Sequence, residues 1–175
     1  MITIVSSTNR NEALSYRISL KYQEILKDLG EESTILDLNQ LPADFTNTAL
    51  YENAGKNESF NIFRRAMKDA KKYLFVVPEY NGSFPGVLKA FIDGLEYPNT
   101  FTNKKCALVG LSSGIQGAGL ALSHLTDIFN YCGMSVLAQK PKLAHIEKHI
   151  DESFNITNVL YRDLLEEQAN LLVKF

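Results

Sequence analysis

Short apolar runs alternate along this chain with stretches whose apolar residues recur at helical spacing, and that alternation constrains its fold more than any other feature. The runs are Ile2–Val5, Ser33–Leu38, Tyr73–Val77, Cys106–Leu111 and Met134–Ala138. Tyr73-Leu74-Phe75-Val76-Val77 is apolar throughout, the pattern of a strand buried on both faces. After the first run, Ile18, Tyr22, Ile25, Leu26 and Leu29 repeat at helical spacing, and Gly30 closes that helix as a C-cap. Further helices are predicted from Phe60 to Lys72, through Leu95, from about Leu120 to Tyr131, and over a final stretch carrying Val159, Leu160, Leu164, Leu165, Leu171 and Leu172. Five strands alternating with five helices call for a parallel sheet covered on both faces, an α/β/α sandwich. In the five-stranded order 2-1-3-4-5, the loops after strands 1 and 3 diverge at the switch point and leave a crevice.

Those loops have the composition of a binding site. After strand 3, Pro78 ends the sheet ladder because it has no N–H. Asn81-Gly82 can adopt backbone angles closed to most residues. Ser83 then offers an N-cap for the next helix, with Pro85 in its first turn. After strand 1 come Ser6-Ser7-Thr8-Asn9-Arg10, then a helix start near Ser15. A helix N-terminus surrounded by hydroxyls and an arginine suits a phosphate. After strand 4, Ser112-Ser113-Gly114 should reach the same edge. Together these loops predict a ligand with a phosphate at one end and a planar ring at the other.

Composition narrows the class. At 175 residues the chain fits one domain, 1–175, with no internal repeat or linker. Net charge is −2 with both signs interspersed, so no nucleic-acid footprint is expected. No signal peptide or 18-residue apolar run is visible, and a cytoplasmic protein without a membrane segment is expected. Cys106 and Cys132 read as reduced, buried thiols. His145 and His149 have the i,i+4 spacing of a metal pair, with Glu147 and Asp151 nearby, but no third ligand of clear geometry; no metal site is assigned. Two long connections, Asn39 to Lys56 and Gln139 to His149, have no assigned role; the first reads equally as a lid, a subunit contact or a surface excursion.

At this point the residues resemble a known family, the NADPH-dependent FMN reductases of flavodoxin-like fold. Pro78-Glu79-Tyr80-Asn81-Gly82-Ser83-Phe84-Pro85-Gly86-Val87-Leu88-Lys89-Ala90 is similar, almost residue for residue, to the family's P-E-Y-N-x-S-x-P-G-x-L-K-N signature. Ser7-Thr8-Asn9-Arg10 with Ser15 resembles its phosphate loop, G-S-x-R-x-x-S, more loosely. The resemblance implies that Ser7, Thr8, Asn9, Arg10 and Ser15 hold the FMN phosphate. It implies that Pro78, Glu79, Tyr80, Asn81 and Gly82 line the isoalloxazine edge, and that Ser112, Ser113 and Gly114 border its other side. The implied activity is hydride transfer from NADPH or NADH through bound FMN to a small two-electron acceptor such as a flavin, quinone or azo compound. No catalytic side chain is implied, and the implied assembly is a homodimer or homotetramer.

Two departures stand out: Ser6 and Ala118 occupy positions where members often have glycine, and Gly119-Leu120-Ala121 lacks an arginine often found there. The alternative function is a non-catalytic FMN electron carrier like flavodoxin. Against it, the S/T-x-T-G-x-T loop and heavier acidity of flavodoxins are missing. A phospho-receiver domain shares the topology, but it needs acidic residues where this chain has Ser6-Ser7 and an aspartate where it has Pro78-Glu79.

Overall fold

Strand β3 (Lys72–Pro78) forms the centre of a computed structural model that describes residues 1–175. It pairs in parallel with β1 (Ile2–Ser6) on one side and β4 (Lys105–Leu111) on the other. Strand β2 (Ser33–Asp37) extends the sheet beyond β1, and β5 (Ser135–Val136) extends it beyond β4, giving the expected order 2-1-3-4-5. A sixth strand, β6 (Lys142–Leu143), was not foreseen; it pairs with the upper end of β4, at Gly110 and Leu111. The fifth run is correspondingly shorter than predicted. Only Ser135 and Val136 of Met134–Ala138 pair as a strand, and the chain then detours through Pro141 before rejoining β4.

Alternation along the strands divides the core in two. Tyr73, Phe75 and Val77 of β3, with Cys106 and Leu108 of β4, face one layer. That layer contains the helices α2 (Phe45–Thr48), α3 (Glu58–Asp69), α4 (Gly86–Asp93) and α5 (Gly119–Tyr131). Leu74, Val76, Ala107, Val109 and Leu111 face the other layer, formed by α1 (Leu14–Asp28) and α6 (Val159–Lys174). Burying each Val, Leu or Phe side chain among them stabilises the fold by roughly 1.5–3 kcal/mol. Both thiols are unpaired, Cys106 buried and Cys132 half-buried, and burial pushes both pKa values up.

The connection from Asn39 to Lys56 packs into the core. It holds helical turns at Leu38–Gln40, Phe45–Thr48 and Tyr51–Asn53, and Phe45, Ala49 and Leu50 are buried. Phe45 stacks on Phe60 with ring centroids 5.4 Å apart. In the opposite layer, a polar cluster ties α6 to the sheet. The buried Gln168 amide donates to the carbonyls of Leu108 and Gln139, both at 2.9 Å, and accepts the Tyr22 hydroxyl at 3.1 Å. Lys72 Nζ caps the last turn of α6 at the carbonyls of Leu172 and Val173, and Lys105 reaches the carbonyl of Phe175.

Candidate active site

The parallel sheet directs the loops after β1, β3 and β4 to one edge, as the switch-point argument requires. They enclose a crevice whose walls include Thr8, Arg10, Ser15, Pro78, Glu79, Tyr80, Ser112 and Ser113. The first wall is the loop from β1 into α1. Its helix starts after Ala13, which has no side-chain oxygen to cap it, and its first turn carries no acidic residue. The backbone N–H groups of Thr8, Asn9 and Asn11 through Ser15 have no acceptor within the protein. By contrast, Asn57 caps α3 at Phe60 N–H and Asn158 caps α6 at Tyr161 N–H. A helix end left bare beside Arg10 presents free donors and positive charge, the features an anion needs.

The second wall is the turn after β3. Asn81 (φ 52°) and Gly82 (φ 75°) are both left-handed, and Tyr80 and Ser83 exchange backbone hydrogen bonds at 2.8 and 3.1 Å. This is a type I′ turn, the conformation that Asn-Gly favours. The N–H groups of Asn81 and Gly82 are left without protein acceptors. The turn corrects one expectation: Ser83 does not cap the following helix. Its N–H and carbonyl are used by the turn, its hydroxyl lies 2.9 Å from His124 Nδ1 on α5, and Pro85 is the residue before α4.

Glu79 joins the second wall to the third. Its N–H donates to the Leu111 carbonyl at 3.0 Å, and its carboxylate accepts the Ala118 N–H at 3.0 Å. Ala118 precedes α5 at φ 66°, so the carboxylate satisfies a donor at that helix entry. Ser112 Oγ stiffens the same loop, donating to the Gly114 carbonyl and accepting the Gly117 N–H, both at 2.9 Å. Behind it, His145 Nδ1 lies 2.8 Å from the Ser113 carbonyl, so that nitrogen carries the proton. His149 packs edge-on against the Tyr161 ring, with centroids 5.2 Å apart.

A profile described as NADPH-dependent FMN reductase matches residues 1–147. The chain belongs to that family. Among curated proteins, this NADPH-dependent FMN reductase family member is 36% identical over 114 residues to a 2-hydroxy-1,4-benzoquinone reductase of Burkholderia sp, covering 62% of each chain. It is 37% identical over 108 residues to an NAD(P)H:quinone oxidoreductase of Solanum tuberosum, covering 60% of this chain and 54% of that one. The matches therefore span less than two thirds of these relatives' lengths. Among solved structures, the flavoenzyme FerB, an NAD(P)H:(acceptor) oxidoreductase from Paracoccus denitrificans, superposes with a TM-score of 0.76 at 23% identity. That superposition covers 99% of this chain and 94% of the other, and shows a shared fold.

Not every residue picked from the FMN reductase motifs faces the crevice. Ser7 is buried; its hydroxyl donates to the Val5 carbonyl at 3.2 Å and its N–H to the Val76 carbonyl. Asn9, Asn81, Gly82 and Gly114 do not line it, though each belongs to a loop that supplies a wall residue. The crevice adds Glu12, Ala13, Leu14, Leu111, Ile146 and Glu147, which the motifs do not contain. Ile146 and Glu147 come from the long connection after β5, placed there because β6 pairs with β4 beside the site. The length of that connection was the only sequence signal for them.

Proposed function

We propose that this protein binds FMN in the crevice and uses it as an NAD(P)H-dependent reductase of small two-electron acceptors, quinones among them. The family match and the quinone-reducing relatives support the activity, and the bare N-terminus of α1 is the observation that carries the cofactor reading. The free N–H groups there, the Thr8 and Ser15 hydroxyls and the Arg10 guanidinium form a donor set suited to a phosphate dianion. Pro78, Glu79 and Tyr80 on one side, with Ser112 and Ser113 on the other, form the walls for a planar ring. Bound FMN supplies the two-electron chemistry. The protein's part is to hold the ring rigidly and leave one face open to small molecules. The free N–H groups of Asn81 and Gly82 are available as donors to the ring's polar edge. Glu79, held by Ala118, acts by fixing the loop and not as an acid.

Both nicotinamide nucleotides are candidate donors. A cytoplasmic setting and a homodimer or homotetramer complete the proposal; the apolar groove between α4 and α5, with exposed Tyr97 and Tyr131 at its rim, is the face offered to a second copy. Light scattering of the purified protein measures that assembly.

An absorption spectrum of the FMN-loaded protein, repeated anaerobically after NADPH and then NADH, tests the activity. Rapid bleaching by either nucleotide, with reoxidation by a quinone, is the expected result. A flavin spectrum that neither nucleotide bleaches points instead to an electron carrier reduced by another protein. Failure to bind added FMN refutes the reading altogether.

A further inference from the structure

Thr8 Oγ1, on the α1 side of the crevice, lies 2.9 Å from the hydroxyl of Tyr80, on the turn side. A hydroxyl has one proton to donate and two lone pairs to accept with. One lone pair of Thr8 is already engaged, because the Arg10 N–H donates to it at 3.3 Å. When Tyr80 donates to the other, both are filled, and the Thr8 proton has no acceptor within the protein. It belongs to a residue on the crevice wall, beside Arg10 and the bare end of α1.

We propose that Tyr80 is a positioning residue for phosphate recognition: by donating its phenolic O–H to Thr8, it makes the Thr8 hydroxyl a dedicated donor to the phosphate and so sets discrimination between FMN and riboflavin. The inference rests on the FMN reading above and assigns a phosphate-directed role to a residue of the ring-side loop. The reverse orientation, Thr8 donating to Tyr80, would turn a lone pair of Thr8 toward the anion. A bound phosphate selects the first orientation, because a hydrogen bond to an ionised acceptor is about twice as strong as a neutral one. The two bonds that Thr8 accepts also polarise its O–H and strengthen the bond it donates. The Tyr80 backbone is fixed separately by its two bonds to Ser83. Removing the phenolic oxygen therefore leaves the turn and the aromatic wall in place.

The test is titration of apo-protein with FMN and with riboflavin, for wild type, Tyr80→Phe, Thr8→Val, Thr8→Ser and the Tyr80→Phe/Thr8→Val pair. Thermal melting checks that each variant is folded. Tyr80→Phe should weaken FMN by about 3- to 10-fold, the scale of one hydrogen bond, and riboflavin by less than about 2-fold. Thr8→Ser, which keeps the hydroxyl, should restore the preference for FMN over riboflavin that Thr8→Val loses, and the double variant should bind FMN no more weakly than Thr8→Val alone. Equal losses for FMN and riboflavin in Tyr80→Phe, or additive losses in the pair, would overturn the proposal while leaving FMN binding intact. A folded wild type that binds neither flavin refutes the FMN reading itself, and this inference with it.

Discussion

Replacing Gly110 by alanine tests whether the loop after β4 is held by contact with the strand beneath it. A Cβ on Gly110 would stand 2.4 Å from the Gly117 carbonyl oxygen and 3.0 Å from both Ala118 Cβ and Leu122 Cδ1. Non-bonded heavy atoms settle near about 3.5 Å, so the loop must move by about 1 Å. The nearest atom is backbone, which cannot rotate aside as a side chain can. Overpacking of this kind costs about 1–3 kcal/mol, offset by about 0.4–1 kcal/mol from the stiffer unfolded chain. The expected net loss is about 1–2 kcal/mol, or a Tm lower by about 2–8 °C for a domain of this size. The site should feel it too. Gly117 N–H is bound by Ser112 Oγ and Ala118 N–H by the Glu79 carboxylate, so displacing these residues strains both crevice-wall anchors and should weaken FMN. Differential scanning fluorimetry with and without FMN reads both effects. Gly86→Ala, where nothing lies within 4 Å of the new Cβ, is the control and should not lower the Tm. A Gly110→Ala protein as stable as wild type and with unchanged FMN affinity would refute the reasoning.

Arg10→Ala should weaken FMN by about 10- to 100-fold, the loss of a charge-assisted contact, and leave riboflavin affinity unchanged; flavin fluorescence titration measures both. Gln168→Leu strands the buried Tyr22 hydroxyl and Leu108 carbonyl, at about 1–3 kcal/mol for each, and releases the part-buried Gln139 carbonyl, so urea denaturation should show a loss of at least about 2 kcal/mol. Burial raises the pKa of both Tyr22 and Tyr73 above the ordinary tyrosine value of 10.0. Their protonated state is kept in the folded protein while the unfolded chain ionises, so stability is full below pH 10 and falls as pH rises beyond it. Circular dichroism and tyrosinate absorbance should therefore report alkaline unfolding and ionisation of these two groups as one transition.

The sequence was most legible where pattern is repeated and least where a single pairing decides. Five alternating units foretold the sheet order, since continuous apolar strands have few right-handed arrangements. Strand β6 was invisible because Lys142 and Leu143 carry no periodicity; only their register against Gly110 and Leu111 makes them a strand. The N-terminus of α1 was recognisable as a candidate anion site from its hydroxyls and arginine. That Ser7 turns inward to Val5 was not, because nothing in a run of polar residues says which one the strand end will bury. Asn81-Gly82 announced a turn, but the same letters did not reveal that a type I′ turn would occupy Ser83 and leave α4 without its cap. Phe45, Ala49 and Leu50 lie in a polar stretch too irregular to read as core.

The division of labour along β4 has a consequence for how this sheet meets other chains. Its outer side is covered in two pieces, β5 at Lys105 and Cys106 and β6 at Gly110 and Leu111, with Pro141 between them. Neither piece is longer than two residues, so neither offers a row of free backbone groups on which another strand could template itself. The interrupted edge that carries Ile146 and Glu147 to the crevice thus also blunts this side of the sheet against edge-to-edge pairing, whereas β2, five residues long and paired only with β1, forms the other edge.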